Sequence, residues 1–189
     1  METKSGAEFI SESHTRHILR YIQARDWLTD RNYVIADAAC GTGYGSKLLA
    51  KAGHKVFGID FNEEAIAEAT KSITKHCDFM TKDLLTTNFG CGAVVCIETI
   101  EHFEPSDGLL LLRNFYKWLP DLGQLIISTP YCERTGPSPI TKQHLCEYSL
   151  TDFEQALAAV GFEIELMKLD RHVGKAGRLG YAMAKCRKV

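Results

Sequence analysis

Asp37-Ala38-Ala39-Cys40-Gly41-Thr42-Gly43-Tyr44-Gly45 decides how this 189-residue chain is read. It closes the apolar run Tyr33–Ala38 and leads into an amphipathic stretch over 43–52. A strand therefore passes through a glycine-rich turn into a helix. Glycines allow a sharp turn and let backbone come close to a ligand. The spacing is Gly-x-Gly-x-Gly, not the Gly-x-Gly-x-x-Gly of dinucleotide enzymes. Taken alone it is also the pattern of a plain strand-to-helix turn.

Outward from that turn the rhythm repeats. Lys55–Asp60 is a second strand, and Asn62 caps a helix predicted over Glu63–Lys75. Cys77–Met80 is a short third strand. Gly92–Ile97 is continuously apolar, as expected of a strand covered on both faces. A helix over Asp107–Leu119 stops at Pro120, and Gln124–Ser128 is a fifth strand. Thr129–Ser149 reads as a long irregular segment. A helix over Leu150–Val160 ends at Gly161. Phe162–Leu169 and Leu179–Cys186 form two closing strands joined by a basic, glycine-containing hairpin. Before all of these, Ser11–Trp27 is an amphipathic helix with Ile18, Leu19, Tyr21 and Ile22 as its apolar residues. Alternating strands and helices imply an α/β fold with a doubly wound, mostly parallel sheet and an antiparallel hairpin at one edge.

The length fits one domain, 1–189, since domains hold roughly 100–200 residues. There are 22 Lys+Arg against 24 Asp+Glu, a net charge of −2. That balance removes whole-molecule attraction to nucleic acid or anionic membrane. No apolar run approaches the roughly 20 residues of a membrane helix, and the first residues carry no apolar export segment. The seven cysteines include no Cys-x-x-Cys pair. They read as free thiols of a cytoplasmic protein, and the usual zinc spacing is missing.

In doubly wound sheets ligands bind just beyond the carboxyl ends of the strands. Asp60 stands there after the second strand, positioned to accept hydrogen bonds from two ribose hydroxyls. Phe61 can pack on an adenine face. Asp83 can accept from an adenine amino group, or simply cap a turn. After the fourth strand comes Glu98-Thr-Ile-Glu101-His102. This rim, with Asp37, is acidic. It suits an ammonium or a sulfonium better than a pyrophosphate, so the four loops together describe a nucleoside ligand with a cationic far end.

With those residues in order, the resemblance is specific. Asp37-Ala-Ala-Cys-Gly-Thr-Gly-Tyr-Gly, Gly58-Ile-Asp60-Phe, Thr81-Lys-Asp83-Leu and Val95-Cys-Ile-Glu-Thr-Ile-Glu-His102 resemble the ordered motifs of class I S-adenosylmethionine-dependent methyltransferases. The type 11, ubiquinone-pathway O-methyltransferase-like members are the nearest in pattern. The resemblance spans roughly residues 8 to 186. It implies a Rossmann-like seven-stranded sheet whose last strand inserts antiparallel beside the fifth. It implies S-adenosylmethionine as cofactor, with Ala39, Gly41 and Gly43 forming the floor beneath it. Asp37 would help hold the methionine amino group. Asp60 would take the ribose, Phe61, Asp83 and Leu84 the adenine, and Ile97 and Glu98 the methionyl end. Arg20 and Tyr21 resemble an Arg-Tyr pair that relatives place over the cofactor, with Arg20 on its carboxylate.

Methyl transfer from a sulfonium needs mainly in-line positioning, while a hydroxyl or amine acceptor also needs its proton removed. His102 is the leading candidate base, with Glu101 and His144 beside it in the catalytic list. Glu98, Glu101 and His102 would share one face of a helical turn. With His144 they could instead hold Mg²⁺ or Mn²⁺, an arrangement resembling metal-using ubiquinone-pathway and small-RNA 3′-terminal 2′-O-methyltransferases. The expected acceptor is a small metabolite or sugar. The alternatives are metal-assisted methylation of an RNA 2′-hydroxyl, favoured only by the basic hairpin (Arg171, His172, Lys175, Arg178), and a non-catalytic cofactor-binding module. The segment Thr129–Ser149, with His144, Glu147 and Tyr148, resembles an element that covers the active site in sugar-directed relatives. Nothing in the sequence specifies the acceptor itself or an oligomeric state.

Overall fold

The structure is a computed structural model, and it describes residues 12–28, 30, 33–71, 74–171 and 178–189. It contains helices α1 (Glu12–Trp27), α2 (Tyr44–Lys51), α3 (Glu63–Thr70), α4 (Pro105–Trp118) and α5 (Leu150–Val160). The strands are β1 (Val34–Ala38), β2 (Lys55–Asp60), β3 (Cys77–Thr81), β4 (Ala93–Ile97), β5 (Gln124–Cys132), β6 (Tyr148–Ser149), β7 (Phe162–Arg171) and β8 (Arg178–Lys188). They form one sheet in the order β3-β2-β1-β4-β5-β8-β7, with the two-residue β6 on β5. Strands β1 to β5 pair in parallel, whereas β8 runs antiparallel between β5 and β7. No helix among the described residues is long and apolar enough to cross a membrane.

The period of two along each central strand explains the two apolar layers. Ile35, Val95, Ile97 and Ile126 join one cluster with Tyr21, Ala24 and Leu28 of α1 and Leu49 of α2. Their neighbours Ala36, Ala38, Val94, Cys96, Leu125 and Ile127 join the other, against Leu111, Leu112 and Phe115 of α4 and Phe153 and Leu157 of α5. Both faces are covered, so these strands have no polar side to show. The buried stripe of α1 is Tyr21–Ala24–Leu28, at helical spacing; Leu19, expected among its apolar residues, is exposed.

One expectation changes. Thr129–Cys132 belong to β5, not to an irregular segment, because β8 is long enough to pair with them: Thr129 faces Ala182 and Cys132 faces Arg178. Pro130 is tolerated there because it falls in the gap between the end of β4 pairing at Ser128 and the start of β6 pairing at Tyr131. The expected seven strands make up the sheet, with β8 antiparallel beside β5, and the two-residue β6 adds a short eighth on β5. The tip of the basic hairpin, with His172 and Lys175, lies outside the described residues.

The chain runs outward one way through β1, β2 and β3, and outward the other way through β4 and β5. The switch point lies between the ends of β1 and β4, where a ligand crevice is expected.

Candidate active site

The turn after β1 builds the floor of that crevice. Gly41 donates its N–H to Asp60 Oδ2 at 2.8 Å, tying the ends of β1 and β2 together. Gly43 has φ +76°, and a Cβ there would fall 2.5 Å from the Phe79 ring. Gly45 is needed for another reason: a Cβ would fall 2.1 Å from the Tyr21 ring of α1. The third glycine therefore seats the N-terminal helix.

Asp37 completes that seat. It is fully buried, and its carboxylate accepts from the hydroxyls of Tyr21 (2.9 Å) and Ser46. Burial pushes its pKa up to about 7, opposed by the Ser46 and Tyr21 hydrogen bonds and reinforced by the charge of Asp60. Burial, then the charge of Asp37, also drives the Tyr21 hydroxyl well above its ordinary range, so it stays a donor. The sequence reading set both side chains against the cofactor; the structure bonds them to each other. A raised carboxyl pKa means that ionised Asp37 opposes folding. No penalty exists below pH 4, it grows as pH rises, and it is complete above about pH 7. Asp37→Asn can still accept from Tyr21 and donate to Ser46 Oγ, and it weakens the bond from the Ser46 backbone N–H, so the full gain is an upper bound. It should melt higher than the parent at pH 8, by up to roughly 4 kcal/mol, with the difference vanishing toward pH 4. A lower melting point for Asp37→Asn at pH 8 would contradict this.

Asp60, at the end of β2, has its other oxygen bound by the Asn62 N–H at 2.9 Å. Phe61 beside it is 77% exposed, an open ring at the crevice rim. Asp83 and Leu84 are held in place from behind. Asn114 of α4 donates Nδ2 to the Leu84 and Leu85 carbonyls, and Trp118 Nε1 donates to Thr87 O. Asp83 itself caps its turn, accepting from Leu85 N–H.

At the end of β4, Ile97 is buried and Glu98 has φ +51°. Ala39, at φ +59°, has the same left-handed strain on the opposite wall. Such strain concentrates where surrounding structure imposes a functional geometry. Glu98 Oε1 accepts from Ser128 Oγ at 2.7 Å and lies 3.6 Å from Arg20 Nε. The Arg20 guanidinium stacks on the Tyr181 ring at 3.9 Å. Both of its Nη atoms are buried without a hydrogen-bond partner among the described residues.

Some of these residues line one cavity of about 840 Å³, with Asp60 and the glycines of the turn close to its lining residues in sequence, while Arg20 and Tyr181 line a second cavity of about 390 Å³. Its lining follows the strand order β3-β2-β1-β4: in the larger cavity Asp83 and Leu84 come after β3, Phe61 after β2, Ala39 after β1, and Glu98, Thr99, His102 and Phe103 after β4, with Gln143 added from the later segment. Beyond Glu98 a short 3-10 turn, Ile100–His102, carries the ionisable cluster. Glu101 is fully buried beneath it. Thr129 Oγ1 donates to its Oε2 at 3.2 Å, and its Oε1 has no hydrogen-bond partner among the described residues. Burial, then the charge of Glu98, raises its pKa well above the ordinary carboxyl range. His102 is exposed and donates Nδ1–H to the Gln143 carbonyl at 2.9 Å. Burial lowers its pKa below the ordinary imidazole value, against the Gln143 bond. His144 meets it edge-on at 4.8 Å between ring centres. One ligand atom each from Glu101, His102 and His144 lies within 4.8 Å of the others.

Glu98, placed with these three in the sequence reading, stands apart. The left-handed backbone at Glu98 takes it off the face shared by the turn, and its carboxylate serves Arg20 and Ser128.

A family model for a methyltransferase domain matches residues 12–166. The chain belongs to this methyltransferase-domain family. Among curated relatives, a probable S-adenosylmethionine-dependent methyltransferase of Mycolicibacterium smegmatis is 25% identical over 138 residues, covering 69% of this chain and 52% of that protein. A magnesium-protoporphyrin O-methyltransferase of Synechocystis is also 25% identical, over 147 residues, covering 69% of this chain and 63% of that one. The chain thus spans about half to two thirds of the length of these relatives. The solved structure of magnesium protoporphyrin IX methyltransferase from Synechocystis, with bound S-adenosylmethionine, covers 99% of this chain and 87% of its own at a TM-score of 0.77. At 18% identity that likeness is one of fold.

Within this methyltransferase domain, three structural supports escaped the sequence reading. Asn114 is a polar residue in the apolar face of α4, a signal that was there to be read. Ser128 and Thr129, which orient Glu98 and Glu101, are small hydroxyls at the end of an apolar strand and carry no pattern of their own.

Proposed function

We propose that this domain transfers a methyl group from S-adenosylmethionine to a hydroxyl of a small metabolite or sugar. The observation that carries this reading is that Asp83, Leu84, Glu98 and His102 line one cavity together. The residues fit the cofactor. Each Asp60 oxygen accepts one backbone N–H and keeps a lone pair for a ribose hydroxyl. The partnerless Arg20 Nη atoms and the adjacent Glu98 carboxylate suit the carboxylate and ammonium of an amino-acid end. When bound, S-adenosylmethionine supplies a methyl carbon on a sulfonium, already prone to displacement.

The chain then has to align the acceptor and remove its proton. With Nδ1–H committed to Gln143, neutral His102 keeps its lone pair on Nε2. Its lowered pKa keeps it unprotonated and ready to accept a hydroxyl proton near neutral pH. The O-methyltransferase relative supports oxygen as the methylated atom. A carboxylate acceptor would need no base, so an imidazole lining the cavity, His102, favours a hydroxyl. Labelled methyl transfer into fractionated cell extract tests this. Label is expected in small molecules; label in RNA or protein alone would overturn the acceptor class.

A second reading has its own observation, the partnerless Glu101 Oε1 beside two imidazoles. Glu101, His102 and His144 could hold Mg²⁺ or Mn²⁺, which would acidify a bound hydroxyl. Under this reading EDTA lowers turnover at least tenfold and Mn²⁺ restores it. Turnover indifferent to EDTA leaves His102 as the base.

A further inference from the structure

We infer that Glu147 is a positioning residue that decides which nitrogen His144 offers to the cluster it forms with His102 and Glu101; its role in turnover rests on the proposed transfer reaction. Glu147 lies in the irregular segment 133–147, yet its side chain is only 1% exposed. A carboxylate is buried so fully only when its hydrogen bonds are met. Its Oε1 stands 2.8 Å from His144 Nδ1. A carboxylate only accepts, so Nδ1 carries the proton and the neutral ring keeps its lone pair on Nε2.

The same segment does this twice. His102 donates its Nδ1–H to the Gln143 carbonyl, one residue before His144. Both imidazoles are therefore anchored at Nδ1, and their rings stand 82° apart. The backbone around Glu147 is itself pinned. Glu147 and Gly136 exchange N–H···O bonds of 2.8 and 3.0 Å, and Cys146 N–H donates to Glu101 O at 3.1 Å. A carboxylate on so fixed a backbone holds a ring in one tautomer and one orientation. Neither Glu147 nor His144 lines the cavity; His144 meets the lining residue His102 edge-on, and Glu147 acts one step further back, through His144. Losing partners of this kind typically lowers activity or ligand affinity by about 10–100-fold.

The test is nitrogen NMR of the full chain labelled with ¹⁵N-histidine at pH 8, with His144 assigned from a His144→Gln spectrum. The parent should show His144 protonated on Nδ1. Glu147→Gln keeps an acceptor and should keep that tautomer and most of the turnover. Glu147→Leu has none; it should mix the tautomers of His144 alone and lower methyl transfer about 10–100-fold, with S-adenosylhomocysteine affinity changed less than about threefold. A parent His144 protonated on Nε2 overturns the inference, as does a Glu147→Gln variant as impaired as Glu147→Leu. If Glu147→Leu fails to fold, the parent and Glu147→Gln spectra decide alone. If the parent transfers no methyl group to any acceptor, the transfer reading fails, and the parent tautomer still decides the role of Glu147.

Discussion

Asp60→Ala should bind S-adenosylhomocysteine at least 100-fold more weakly than the parent. Hydrogen bonds to a charged group contribute roughly 1.5–3 kcal/mol each, and a ribose offers two. Together they amount to a factor of about 10² to 10⁴. Asp60 is also the acceptor for the N–H groups of Gly41 and Asn62, so the substitution loosens the floor as well as the ribose contact. Asp60→Asn separates the two effects. It can still accept one N–H, and it should fall between parent and alanine variant. Calorimetric titration of the three proteins measures both steps. An Asp60→Ala variant that binds as tightly as the parent would remove the ribose assignment.

His102→Ala should act on the other half of the site. General base catalysis contributes about 10²–10⁴-fold, so turnover should fall by that order. Affinity for S-adenosylhomocysteine should hold within about threefold, because His102 follows β4 whereas Asp83 and Leu84 follow β3 at the edge of the sheet. Its Nδ1 bond to Gln143 is a single contact to an exposed segment, so stability should change little. Turnover unchanged in His102→Ala would take this residue out of the reaction under either reading.

The two effects separate because the site has two origins. The cofactor half follows the sheet: Gly41, Gly43, Asp60 and Asp83 each sit at a strand end, where sequence position alone locates them. Periodicity was sufficient there, since apolar runs covered on both faces have only one way to stack. The acceptor half depends on tertiary contacts that no local pattern encodes. Residues 129–132 read as irregular because Pro130 interrupts the run, and only the length of β8 draws them into the sheet. Glu98, Glu101 and His102 have helical spacing, but the left-handed backbone at Glu98 breaks the shared face. Asp37 and Tyr21 are 16 residues apart and were legible singly; their bond to each other was not. The role of Glu147 needed the fold, because it depends on a segment crossing back over the turn after β4.

Titration calorimetry of the parent chain with S-adenosylhomocysteine tests the central claim most directly. One site per chain with a Kd on the order of micromolar is predicted, since the cavity, the Asp60 carboxylate and the buried Arg20 nitrogens are already in place. No heat and no thermal shift at millimolar ligand would contradict it.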